Sequence, residues 1–74
     1  MEKTQMFKIT TPYITLSALL KAANLVMTGG EAKLAIQEGM VSVNGEVCTQ
    51  RGKKLVNGDK ICFEGCEIAV SDED

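Results

Sequence analysis

Residues 28–46, "TGGEAKLAIQEGMVSVNGE", change their period halfway along, and that change decides the fold. Ala32, Ala35 and Ile36 recur with a helical step and share one face. Thr28 is a good N-cap with Glu31 three residues later, the pattern of a capping box. In that arrangement the Thr28 hydroxyl accepts from the Glu31 amide, and the Glu31 carboxylate reaches back to the Thr28 amide. Gly39 ends the helix as a C-terminal cap. From Met40 onward the period is two, and "MVSVNGEVC" predicts a hairpin closed by the two-residue turn Asn44-Gly45. Gly29 and Gly30 hold the first two helical positions. Glycine is poor helix material, but there its entropic penalty is partly tolerable and the bare amides stay accessible.

Working outward, Thr15 caps a helix that starts at Leu16. Leu16, Leu19, Leu20 and Ala23 form its apolar stripe, with Ser17, Lys21 and Asn24 off it; Asn24 tolerates the left-handed conformation and stops the helix. Upstream, "MFKIT" alternates as a first strand, with Phe7 and Ile9 on one face, until Pro12 breaks it. Downstream, "VNG" recurs at Val56-Asn57-Gly58, before Asp59, as a reuse of turn chemistry. "KICFE" and "CEIAV" alternate on either side of Gly65 and predict a second hairpin. "SDED", residues 71–74, reads as a solvated acidic tail. The order of strand, helix pair and strands predicts an α+β fold, with both helices on one side of a small sheet and one domain over residues 1–74.

Bulk composition bounds the function. A 74-residue domain buries only roughly 60% of the surface of its unfolded chain, which leaves no room for a deep cleft between lobes. The 45% hydrophobic and 24% charged content fits a globular chain. No apolar run approaches the ~20 residues of a membrane span, and "MEKTQMFKIT" lacks the apolar core of a signal peptide, so a cytoplasmic protein is expected. Cys48, Cys62 and Cys66 are an odd set without an export signal, which argues against a disulfide framework. "CFEGC" invites a metal reading, but the chain has no His and a zinc site would have to recruit carboxylates. Small buried strand cysteines are the simpler reading, and neither metal nor cofactor is expected. Ser17, Ser42 and Ser71 have no evident base partner, so a non-catalytic role is expected.

The net charge of −2 is unevenly placed. Acids crowd the C-terminal end, whereas Lys21 to Lys60 holds six bases against four acids. A local field matters more to a polyanion than the total does. Amides at a helix N-terminus attract anions, and glycines let a phosphate come close; a tight interhelical turn that needs small residues explains Gly29 and Gly30 equally well. "TGGEAK" does not have Walker-loop spacing. Arg51, Lys53 and Lys54 in "RGKKL" form a loop that is either a solvated surface or, clustered with Lys21 and Lys33, part of a phosphate-binding face. With Phe7, Tyr13 and Phe63 as the only aromatics, stacking on single-stranded bases is disfavoured. Shape and backbone recognition of folded RNA fits better.

Residues 14–64, from "ITLSALLKAANLVMTGGEAK" through "IQEGMVSVNGE" to "NGDKICF", resemble the S-four RNA-binding domain. They look closest to its stand-alone, single-domain bacterial members of the YaaA and YbcJ type. The spacing from Gly39 through Val43-Asn44-Gly45 to Gly58-Asp59 carries much of the resemblance. It implies an alpha-L motif: a two-helix hairpin packed on a small, bent, mostly antiparallel sheet. It further implies contact with structured RNA, by family habit ribosomal RNA or a ribosome-associated particle. Carried over by position, the contacts fall on Thr28, Gly29, Gly30, Lys33, Arg51, Lys53 and Lys54, with Lys21 a weaker addition. Many family members carry Arg where this chain has Gly29, so the Gly-Gly version lacks one phosphate contact.

A protein-interaction module is the alternative. "VNGE" and "GDKI" turns resemble locally those of ubiquitin-like sulfur carriers, but the carriers' Gly-Gly tail is replaced here by Ser71-Asp72-Glu73-Asp74.

Overall fold

The computed structural model describes residues 4–72. In chain order the elements are β1 (Thr4–Lys8), β2 (Ile14–Thr15), α1 (Leu16–Ala22), α2 (Gly29–Gln37), β3 (Val41–Val43), β4 (Glu46–Val47), β5 (Lys54–Leu55), β6 (Lys60–Phe63) and β7 (Cys66–Ser71). Five strands form one sheet in the order β1-β7-β6-β3-β4, and β2 pairs with β5 in a separate two-stranded ladder. The sheet is antiparallel except at its edge, where β1 runs parallel to β7 with Thr4 opposite Glu67 and Lys8 opposite Ser71. No helix among the described residues is long and apolar enough to cross a membrane.

Both helices are built as their sequences dictate. Thr15 and Thr28 are extended N-caps whose hydroxyls accept from Ala18 and Glu31 amides. The capping box departs from expectation at its second half: the Glu31 carboxylate accepts from the Met27 amide at 3.5 Å, one residue before the cap. Each helix ends in a Schellman motif. Asn24 (φ 61°) and Gly39 (φ 76°) take the left-handed position. The amide of Leu25 then donates to Leu20, and that of Met40 to Ala35.

The predicted helical stripes form the core. Leu16, Leu19 and Leu20 of α1 and Ala32, Ala35 and Ile36 of α2 are buried, against Val41, Val43, Ile61, Phe63, Ile68 and Val70 of the sheet. Among the described residues no polar or charged side chain is buried, so the core is held by apolar packing alone.

Two of the predicted turns prove to be joined. The Asn44 side-chain amide donates to Asp59 at 3.1 Å and its oxygen accepts from the Lys60 amide at 3.0 Å. Asp59 also accepts from the Val56 amide at 2.9 Å. The "VNG" echo is therefore a cross-brace between the β3–β4 hairpin and the loop entering β6, and the second copy does not close a hairpin. Asp59→Ala strips the acceptor from both partners and is expected to cost about 1–3 kcal/mol, read as a lowered midpoint in urea.

Three expectations need correction. "RGKKL" is not wholly a loop: Lys54 and Leu55 form β5, with Ile14 opposite Leu55, because Leu55 carries an apolar side chain that is fully buried. Ser71 does not begin a tail, since it ends β7 and its carbonyl accepts from Ile9 at 2.7 Å; Glu73 and Asp74 lie outside the described residues. The cysteines are half-buried instead of buried, and all three are free. Cys66 shares the core-facing register of Ile68 and Val70, while Cys62 lies between buried Ile61 and Phe63 and so takes the opposite face. Among the described residues no cluster of three or more candidate ligands is placed to hold a metal ion.

Candidate functional site

Ser17 and Lys21 stand four residues apart on α1, one helical turn, and so share its exposed side. Gly29 begins α2 and Lys33 follows one turn later on the same flank. The chain between β4 and β5 passes beside the start of α1. There the Leu16 amide donates to the Lys53 carbonyl at 2.9 Å and the Ser17 amide to the Arg51 carbonyl at 3.2 Å. These bonds satisfy amides that the first turn of a helix leaves without partners. They also fix the basic segment to the helix pair.

The result is one open groove lined by Thr15, Ser17, Ala18, Lys21, Gly29, Arg51 and Gly52. Two bases and no acid line it. Among the described residues Lys21, Lys33 and Arg51 take part in no ion pair, so their charges are not neutralised internally. The amides of Gly29 and Gly30 are the first two of α2 and have no acceptor within the helix. A side-chain carbon added at Gly29 would meet no atom within 4 Å, and one at Gly30 only the Thr28 hydroxyl oxygen at 3.8 Å. Neither glycine takes a positive φ. Neither backbone strain nor crowding therefore demands glycine here, which removes the tight-turn explanation for the pair.

The remaining predicted residues divide. Lys33 continues the Gly29 flank, and Thr28 serves α2 itself through the Glu31 amide at 3.2 Å. Lys53 lines a different groove, together with Glu46 and Asp59, where acids outnumber it. Lys54 places its ammonium 5.0 Å from the centre of the Tyr13 ring, a cation–π contact that holds β5 against the segment before β2. The three bases of "RGKKL" thus point to three surroundings, and Arg51 is the one in the groove with Lys21. Thr15, Ser17 and Gly52 are groove residues that sequence alone does not assign to the site. For Ser17 the step of four to Lys21 is the signal that could have found it.

Comparison with known proteins agrees with this architecture. A family model described as the S4 domain matches residues 7–71. YbcJ of Escherichia coli (strain K12) is 39% identical over 59 residues, covering 80% of this chain and 84% of the relative. A Bacillus subtilis (strain 168) relative, "Probable ribosome maturation protein RlbA", is 44% identical over 57 residues, covering 77% of this chain and 80% of the relative. The solution structure of E. coli YbcJ, described as revealing an alpha-L motif involved in RNA binding, superposes with a TM-score of 0.66 at 35% identity. The superposition spans 92% of this chain and 85% of that one.

Proposed function

The chain belongs to the S4 domain family, and from that premise we propose that it is a small, non-catalytic RNA-binding protein that docks on structured RNA. The observation that carries this reading is the groove in which Lys21, Arg51 and the start of α2 converge without a carboxylate. Such a surface offers phosphates two cations and free amides together. It has no aromatic ring among its lining residues, so recognition rests on backbone shape and charge instead of base stacking. The name of the RlbA relative favours RNA of the ribosome or its precursors as the target class.

Fluorescence anisotropy with a folded ribosomal-RNA fragment and an unstructured RNA, each at two salt concentrations, tests the proposal. Tighter, salt-sensitive binding of the folded fragment is expected; equal binding of both, or none at low salt, contradicts it. Gly29→Ala gives a sharper check. The methyl group meets open space, so the fold is expected to hold and gain up to about 1 kcal/mol from the better helix former. RNA affinity is expected to fall, because the methyl crowds the approach to the amides and, unlike the Arg that many family members carry here, brings no cation of its own. Unchanged affinity would take the start of α2 out of the interface.

A further inference from the structure

The other flank of α2 carries a surface of opposite character. Leu34, 59% exposed, and Met40, 43% exposed, open onto a groove that Leu25 and Phe63 also line. Single exposed apolar residues are ordinary, but these share one concavity with the core residue Phe63 among its walls. Glu31, Glu38 and Glu64 rim it, all exposed, and among the described residues that line it there is no Lys or Arg. Leu25 and Met40 are the residues that follow the two Schellman caps, so both helices end beside this groove. The partial negative charge of a helix C-terminus adds to that of the three carboxylates. Such a field repels nucleic acid and anionic lipid alike, and it complements a cationic partner.

We propose that this groove is a docking site for a protein segment that inserts apolar side chains between Leu34, Met40 and Phe63 and sets Lys or Arg against Glu31, Glu38 and Glu64. The site goes beyond the RNA reading and does not depend on it. Because it lies across α2 from the Lys21–Arg51 groove, one domain can hold a polyanion on one flank and a basic protein segment on the other.

The test is selection of short random peptides on the full chain. Leu34→Ser and Glu38→Lys serve as counter-selection targets; both residues are exposed, and thermal melts verify that the variants fold. Enriched peptides are expected to carry Lys or Arg flanking apolar residues, and to bind each variant at least about tenfold more weakly. A third variant, Glu64→Asn, keeps a residue suited to the left-handed turn conformation (φ 49°) while removing one rim charge, and is expected to weaken the same peptides. Peptides without the basic-apolar pattern, peptides that bind wild type and variants alike, or no enrichment at all would overturn the proposal. Sedimentation adds one more overturning result: self-association of the wild type that Leu34→Ser abolishes would make a second copy the occupant.

Discussion

Replacing Lys21 and Arg51 together with alanine is expected to lower affinity for a folded RNA fragment by about 100-fold at moderate salt, roughly tenfold for each phosphate no longer held by a cation. The slope of log affinity against log salt should fall by about two, since each missing cation leaves one counterion fewer to release. Both side chains are exposed and make no internal ion pair among the described residues, so the melting temperature should stay near that of the wild type. The informative comparison is Lys53→Ala with Lys54→Ala, which removes the same amount of charge from positions beside Arg51 in sequence. Lys53 sits among Glu46 and Asp59 and Lys54 over Tyr13, so this pair is expected to cost less than the first. Should it cost as much or more, the interface lies across β5 instead of along the groove between the helices.

Leu55→Ala is expected to destabilise the domain by about 2–5 kcal/mol, the range for emptying a fully buried leucine site. A chain of this length has about 4–11 kcal/mol in total, so the variant loses a large share of its stability. Urea denaturation followed by circular dichroism measures the loss. The position matters because Leu55 anchors the two-residue strand that delivers Arg51 to α1. In the folded fraction, weakened RNA binding alongside lower stability would show the core residue holding the groove in shape. Undiminished binding would mean that the backbone bonds from Leu16 and Ser17 suffice.

The legibility of this fold varies by element, for physical reasons. Both helices, their Thr caps and their left-handed stops at Asn24 and Gly39 are encoded within a few residues, and local sequence predicts them. The two hairpins are similarly local, each announced by a residue pair ending in glycine, Asn44-Gly45 and Glu64-Gly65. Non-local pairings leave no such trace. Nothing in "RGKKL" foretells that Leu55 pairs with Ile14, or that β1 runs parallel to β7. The candidate site inherits the same limit. Its bases are visible in sequence, but their division among three surroundings follows from the β2–β5 ladder, a pairing across about forty residues.

The parallel pairing of β1 with β7 has a consequence for how the chain is made. Thr4 meets Glu67 across 63 positions of sequence. Synthesis proceeds from the N-terminus at roughly 5–20 residues per second. For several seconds after emerging, the first strand has nowhere to go, because the strand that will seat it has not yet been translated. The helix pair and the Asn44-Gly45 hairpin can close meanwhile, since their contacts are short-range. The sheet edge is completed only when residue 71 clears the exit tunnel, which makes β1 the segment most open to capture by other nascent or unfolded chains during that interval.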